Sequence, residues 1–538
     1  MATLLSEHIA HDADGPAIVD AAGSTTWGEL GARVNRWIDL LRARGLVRGD
    51  RIACLLGNRR ESFEILLAAL HCGVTVIPVN WHLTAPEIAY VLTDSSARCL
   101  IVEDGHVGVA AQALTMSADP VAVRIVLGSR DLGGFEAAEP LLAAACDAEP
   151  AGQCAGGTML YTSGTTGAPK GVLNGLFLVG APFSRVAKLA RYARVVLQLP
   201  VRERFLLDAP WYHSSQLFFA LLALLLGNRL VIRPRFDPRS TLQVIDAERI
   251  TSAHFVPTQL ARLLRVDEAT RQAFSGASLR RVWHGGGPCP VEVKRTMIDW
   301  WGPVLLEYYG ATEGGAVTLI DSRDWLARPG SVGRAVVPNE VVVVGPDGRE
   351  LPAGTIGRVY VRRRAGRTFE YHNAPEKTRA AHLQPDLFTF GELGRLDEQG
   401  FLYLTGRAQD LIVSGGVNVY PAEVEAALLT HPAVQDAAVI GVPDAEYGER
   451  VVAVVQPDPD AAEALPRQLD AHCRRSLAGF KVPRAYQFVT RLPREATGKI
   501  RKDVLRQRWP MDAVATTMER NRTDAADDRG CADPSRHR

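Results

Sequence analysis

The segment Tyr161-Thr-Ser-Gly-Thr-Thr-Gly-Ala-Pro-Lys170-Gly171 concentrates groups that bind anions. Gly164, Gly167 and Gly171 open backbone conformations closed to other residues. Ser163, Thr165 and Thr166 bring hydroxyls, and successive N–H groups of such a turn converge on an anion. Lys170 adds a positive charge. The order differs from the P-loop pattern GxxxxGK[ST], because this lysine follows proline and precedes glycine. The composition is still that of a phosphate-cradling loop. A plain Ser/Thr/Gly surface loop is the alternative, and the density of glycine, hydroxyl and lysine argues against it.

Three further strings follow in order. They are Tyr308-Tyr309-Gly310-Ala311-Thr312-Glu313, then 404–421 (LTGRAQDLIVSGGVNVYP), then 493–500 (PREATGKI). With the 161–171 loop, these resemble the four signature motifs of the adenylate-forming enzymes: acyl-CoA synthetases, luciferases and amino-acid adenylation domains. The resemblance covers roughly residues 1–510. It implies that a carboxylate attacks the α-phosphate of ATP, giving an acyl-adenylate and pyrophosphate. Both reactants are anions, so the site must aim cations and donors at the developing charge.

The resemblance assigns roles residue by residue. Thr162, Ser163, Gly164, Thr165, Thr166 and Gly167, with Lys170, hold the β- and γ-phosphates. Thr312 contacts the α-phosphate, within the Gly310-Ala311-Thr312 turn. Glu313 and Thr166 hold Mg2+. Tyr309 lies against adenine, and Gly285-Gly286-Gly287 forms a backbone wall beside the base. Arg407 reaches the ribose or phosphates. Lys499 meets the α-phosphate and the carboxylate in the first half-reaction. Asp410 is the hinge about which a small domain swivels, exchanging Lys499 for the Gly415-Gly416 face. At one position the chain departs from the family. The usual Asp of a Gly-Asp pair, which binds both ribose hydroxyls, is here Glu392 in Phe390-Gly391-Glu392. The carboxylate is kept on an arm longer by one methylene, so ATP use is expected to survive.

Adenylation is shared across the family, so function turns on the acid and the acceptor. Amino-acid-activating members carry an Asp just after an aromatic residue. The matching stretch, Trp211-Tyr212-His213-Ser214, has Ser214 there, which disfavours an α-amino acid. His213 resembles the histidine beside the acyl carboxylate in acyl- and aryl-CoA ligases, with a packing histidine as the alternative. The run 217–226 is apolar all round, hence buried. Trp211, Phe218, Val256, Trp283 and His284 are expected to line the acyl site. The spelling Trp300-Trp301-Gly302-Pro303 looks most like bacterial ligases of fatty or bulky cyclic acids. Coenzyme A is the expected acceptor: Gly415-Gly416 would let the pantetheine arm pass close to backbone. An amide-forming ligase, with an amine in place of the thiol, is the alternative.

The elements that must position these residues are legible in outline. Short apolar runs at 17–19, 52–56, 74–77, 100–102, 123–127, 229–232 and 281–283 alternate with helical spacing at 30–41 and 63–70. That rhythm is α/β with mostly parallel sheet. The expected architecture is a large N-terminal domain over 1–409, of mixed and parallel sheets with helices, including a small β-rich subdomain at about 335–405. A small mobile α+β C-terminal domain occupies 410–510, and a disordered polar tail 511–538. The Arg362-Arg363-Arg364 run reads as a solvated strand end.

Composition narrows the class. The chain has 538 residues, 61 basic and 60 acidic, for a formal net charge of +1. Near-neutrality argues against a nucleic-acid or membrane-surface binder. It hides a local swing: 401–470 holds eleven acids and three bases, while 471–510 holds two acids and eleven bases. Arg474, Arg475, Lys481 and Arg484 are therefore expected to meet the phosphates of CoA. The start, 1–15, lacks a basic segment followed by a long apolar run, so no secretory signal is expected, and the longest apolar stretch, 217–226, is far short of a ~20-residue span. The eight cysteines are scattered without CxxC or metal-ligand spacing, as in reduced cytoplasmic proteins. The expected partners are thus a carboxylic acid, ATP with Mg2+, and CoA, in the cytoplasm, in a chain open to homodimer formation.

Overall fold

A computed structural model of the chain describes residues 4–162, 169–363, 368–415, 417–458, 464–494 and 500–509, with the backbone of 518–519. The chain divides into two compact units, Met1–Leu404 and Thr405–Arg538.

The first unit is built on two sheets with parallel centres. In the nine-stranded sheet, parallel pairings join Pro16–Asp20, Arg229–Ile232, Arg204–Leu207, Ser252–Phe255, Arg281–His284 and Leu305–Ala311, in that spatial order. Antiparallel strands close its edges: Gly23–Thr26 on one side, Gly315–Asp321 with Arg334–Ala335 on the other. In the eight-stranded sheet, Gly157–Thr162, Thr75–Pro78, Arg51–Leu55, Cys99–Glu103, Val123–Leu127 and Glu136–Ala137 run parallel. Strands buried on both faces read as continuous apolar runs, and Phe205, Leu206 and Leu207 are all buried.

Helices cover these sheets. Trp27–Ala43 starts at a capping box, in which Thr26 accepts from the Glu29 N–H at 3.2 Å and its own N–H reaches the Glu29 carboxylate at 2.8 Å. The apolar run expected to be buried is the helix Ser214–Leu225, packed in the main core. Among the described residues no helix is long and apolar enough to cross a membrane. The seven described cysteines form no disulfide.

The β-rich region is a third sheet, with Asn339–Val344, Gly357–Arg363, His382–Gln384, Leu387–Phe388, Glu392–Leu396 and Leu402–Arg407. One segment leaves it. Phe369–Tyr371 pairs antiparallel with Lys170–Asn174, at the edge of the eight-stranded sheet. The strand run ends differently from the solvated arginines expected there. Arg362 pairs with Glu350 at 2.7 Å, and Arg363 is buried.

The second unit has its own sheet, in the order Val417–Val419, Ile412–Ser414, Gly448–Pro457, Ala485–Phe488, Met518–Glu519, with Val434–Asp444 also paired to Gly448–Pro457. Met518–Glu519, the described part of 511–538, is thus a strand rather than an unstructured segment. The helices Pro421–Leu429 and Leu465–Ser476 bury Val424, Leu428, Leu469 and Cys473 against the sheet. The charge swing has a structural meaning other than a phosphate-facing surface. Arg474–Asp470 (2.7 Å), Lys481–Glu423 (2.6 Å), Arg494–Asp436 (2.6 Å), Lys502–Glu425 (2.6 Å) and Arg506–Asp410 (2.9 Å) tie the basic segment to the acidic one. Arg475 faces His472, and Arg484 lies over the Tyr447 ring at 3.9 Å.

Candidate active site

Because Arg204–Leu207, Ser252–Phe255, Arg281–His284 and Leu305–Ala311 run parallel, their carboxyl ends open on one side. The chain leaves them as 208–214, as Val256, as Gly285-Gly286-Gly287, and as Thr312-Glu313. Open α/β sheets bind ligands outside the carboxyl ends of their strands. Four segments separated by up to a hundred residues are thereby brought to one edge.

Thr312 is held from both sheets. Its Oγ1 lies 2.9 Å from the Ser214 Oγ, at the start of the apolar helix. Its carbonyl accepts from Asn174 Nδ2 at 2.7 Å, on the strand that follows the glycine-rich loop. Ala311 pairs with Gly315 across the hairpin, and a Cβ at Gly310 would lie 2.1 Å from the Gly315 carbonyl oxygen. Glu313 Oε1 accepts from the Tyr371 hydroxyl at 2.8 Å. The Tyr371 ring faces Lys170 Nζ at 4.8 Å. Burial and then Lys377 hold the Lys170 ammonium below its ordinary pKa, against the pull of Glu313. Behind the turn, the buried Arg363 donates to the Gly314 carbonyl at 2.6 Å and to Asn339 at 2.9 Å.

Tyr371 and Arg363 are positioning residues missed from the sequence. Nothing local marks them: Tyr371 and Glu313 are 58 positions apart, joined only by the strand that changes sheets.

On the nucleotide side, the buried Tyr309 donates from its hydroxyl to Glu392 Oε2 at 2.8 Å, with Phe390 edge-on to its ring. Gly285 is required by space: a Cβ there would lie 2.7 Å from both the Tyr308 carbonyl oxygen and its ring. Gly286 needs its lack of a side chain for a different reason, φ +80°. Gly287 has open space around it.

On the acyl side, His213 stands just before the helix Ser214–Leu225 with its ring against Tyr212, which meets Trp81 at 4.6 Å. Phe218 stacks on Phe177 at 5.6 Å. Val256 sits at the start of the helix Pro257–Leu263, on the side of Gly286. The other expected lining residues lie elsewhere. Trp211 is fully buried, its indole N–H donating to the Leu56 carbonyl at 2.8 Å. Trp283 and His284 alternate on one strand, so they face opposite sides of the sheet. Trp283 packs with Phe205 and Phe219 beside the apolar helix, whereas His284 pairs in register with Glu307 near Lys294. The structure does not bring His284 to Phe218.

In the second unit, Arg407 ends the strand Leu402–Arg407. Asp410 Oδ1 accepts from Arg506 Nη2 at 2.9 Å. Gly415 adopts φ +59°, donates its N–H to the Tyr447 carbonyl at 2.8 Å, and faces the Tyr447 ring. Gly416, Lys499, Ser163, Gly164, Thr165, Thr166 and Gly167 lie outside the described residues. Thr162 and Lys170 pair across the strands that flank the phosphate loop.

Among the described residues, no group of three His, Cys, Asp or Glu side chains could hold a metal. A lone carboxylate, Glu313, steadied by the Tyr371 hydroxyl, fits Mg2+ bound through one or two carboxylates plus substrate phosphates.

Comparison with known proteins identifies the family. The description AMP-binding enzyme matches residues 5–367, and AMP-binding enzyme C-terminal domain matches 423–499. Long-chain-fatty-acid–CoA ligase FadD13 of Mycobacterium tuberculosis is 34% identical, covering 90% of this chain and 93% of its own. The crystal structure of the anthranilate CoA ligase AuaEII in complex with anthranoyl-AMP superposes with a TM-score of 0.83 at 26% identity, over 94% of this chain and 96% of its own. The amide bond synthetase McbA of Marinactinospora thermotolerans gives 0.81 at 28% identity, over 94% and 99%. The chain belongs to the AMP-binding enzyme family, in its branch of AMP-forming acyl-CoA synthetases.

Proposed function

We propose that this ligase activates a hydrophobic carboxylic acid as its adenylate and transfers the acyl group to coenzyme A, releasing AMP and pyrophosphate. The observation that carries this reading is the 2.9 Å contact between Thr312 Oγ1 and Ser214 Oγ. It joins the expected α-phosphate residue to the first residue of a helix whose body is apolar and buried. The acid's carboxylate would meet phosphate at that contact, with His213 beside it, and its tail would run along apolar side chains near Phe218. No carboxylate stands at Ser214's place to receive an ammonium group.

By the family resemblance, Thr162 and Lys170 would hold the β- and γ-phosphates, Thr312 the α-phosphate and Tyr309 the adenine. Glu313 would hold Mg2+, which screens the phosphate charge when bound. Tyr371 fixes one oxygen of Glu313 and leaves the other to face the phosphates. Arg363 pins the carbonyl of the next residue, so the turn is held on both sides. In the second unit, Gly415 presents backbone without a side chain, as passage of a pantetheine arm requires.

The amide-forming alternative is supported by the likeness to McbA. One experiment separates the two: pyrophosphate release and product mass with short, medium and long fatty acids, aryl acids and steroid acids, each with CoA, with amines, or with neither. Acid-dependent pyrophosphate release with a thioester product is expected for the longer or cyclic acids. Amide products only, or preference for short polar acids, would overturn the reading.

A further inference from the structure

A cavity of about 250 Å³ opens at the amino ends of the strands Arg204–Leu207 and Arg229–Ile232, the opposite end from the candidate active site. Its walls include His8, Arg202, Glu203, Arg204, Gly227 and Arg229. Three buried polar atoms on these side chains have no partner among the described residues: His8 Nδ1, Glu203 Oε2 and Arg229 Nε. A buried polar atom left without a partner destabilises the fold. Three on one wall need a reason.

His8 is 7% exposed and lies 5.0 Å from the Trp27 ring. Its Nε2 faces the Leu225 carbonyl at 3.1 Å and must carry the proton, because a carbonyl only accepts. Burial and the nearby Arg202 keep the ring below its ordinary pKa, hence neutral. Nδ1 is therefore an acceptor, turned toward Gly227, where a Cβ would lie 2.7 Å away. Arg202 is held at φ +56°, a conformation that costs a side-chain-bearing residue energy and is concentrated at ligand sites. Glu203 is neutralised by Arg280 at 2.9 Å and Arg229 by Glu248 at 2.6 Å. Arg204 commits one Nη1 donor to the Glu248 carbonyl. The cavity, which Asp12 also lines, thus offers arginine donors for an anion beside a buried acceptor that needs a donor.

We propose that this cavity binds a phosphate group that keeps a proton, free or as the head of a small ester, with Arg202 and Arg204 on its charged oxygens and His8 Nδ1 accepting from its P–OH. Sulfate has the same shape and charge but no proton to give, so it is the discriminating control.

The test is calorimetric titration of the full chain with inorganic phosphate, glycerol phosphate and sulfate, with the ATP site saturated by a non-hydrolysable analogue. Expected are phosphate or ester binding that survives the analogue, and sulfate weaker by about fivefold. Arg202→Gln, at an exposed position, should weaken phosphate by about tenfold. His8→Phe should erase the preference over sulfate; if that variant fails to fold, Arg202→Gln decides. Tighter binding of either phosphate form supports the site and names its source. Sulfate as tight as phosphate, binding abolished by the analogue, or binding unchanged in Arg202→Gln would overturn the proposal.

Discussion

The Tyr309 phenol donates a 2.8 Å hydrogen bond to the Glu392 carboxylate. Two residues expected to hold different ends of adenosine, base and ribose, are therefore coupled. The extra methylene of glutamate, where the family usually has aspartate, is what carries the carboxylate to the phenol. Glu392→Asp should lose this contact and raise the ATP KM several-fold, and Tyr309→Phe should do the same. The two effects should fall short of additive by ~1 kcal/mol, as for residues in direct contact. Steady-state kinetics on the two single variants and the double variant check this. An unchanged ATP KM in Glu392→Asp would show the substitution to be neutral.

Behind the glycine wall, Lys294 Nζ lies 2.7 Å from Glu307 Oε2, with both side chains buried and the ammonium over the Trp325 ring. The pair ties the helix Val291–Trp301 to the strand Leu305–Ala311, which leads into Thr312. Breaking a buried pair leaves one charge without compensation, so Lys294→Met alone should destabilise by ~3–5 kcal/mol. Lys294→Met with Glu307→Leu should recover most of that loss. Denaturant unfolding of the three proteins measures it. A double variant no more stable than the single would mean the pair's partners, not its charges, set the cost.

These two relationships mark what a sequence discloses and what it withholds. The α/β rhythm is readable because parallel strands buried on both faces are apolar runs, as at 52–55 and 100–102. The family is readable because its four motifs stand in order along the chain. Facing was not readable. His284 and Trp283 are strand neighbours and so face opposite sides, but only the packing of the sheet decides which of them meets the apolar helix. Nor was the sheet change at Phe369–Tyr371, because a three-residue strand carries no sign of its partner. The basic run 471–510 reads as a phosphate surface because sequence cannot show that Arg474, Lys481, Arg494, Lys502 and Arg506 pair with acids of 401–470.

At the end of the strand Arg204–Leu207, burial pushes the Asp208 carboxyl up to about 7, against the hydrogen bond from Thr241 and the charge of Arg233. The unfolded chain releases this proton near the ordinary aspartate value. Between about pH 4 and pH 7 the folded state binds the extra proton, so this group's contribution to stability falls as pH rises through that window. Above it, the buried charge should cost on the order of 2–4 kcal/mol. Asp208→Asn keeps an acceptor for the Thr241 hydroxyl and removes the charge. Its melting temperature relative to wild type should be higher at pH 8 than at pH 5. A constant difference across that range would show Asp208 to titrate normally.

The last prediction separates the two half-reactions. Gly415 has φ +59°, and a Cβ there would stand 3.3 Å from the Tyr447 ring, over which the Arg484 guanidinium lies. A leucine at this position is strained in its backbone and crowded by that ring, on the face proposed to meet the pantetheine arm. Gly415→Leu should therefore slow thioester formation from supplied acyl-adenylate by an order of magnitude or more, while pyrophosphate release from acid and ATP changes little. Lys499→Ala should show the opposite bias, because its charge is proposed to act on the α-phosphate and carboxylate only in the first step. Tyr447→Ala in the Gly415→Leu background should restore part of the thioester rate by removing the crowding ring. Equal loss of both half-reactions in Lys499→Ala would rule out a mechanism in which one unit presents two faces in turn. It would place the lysine in a pose common to both steps.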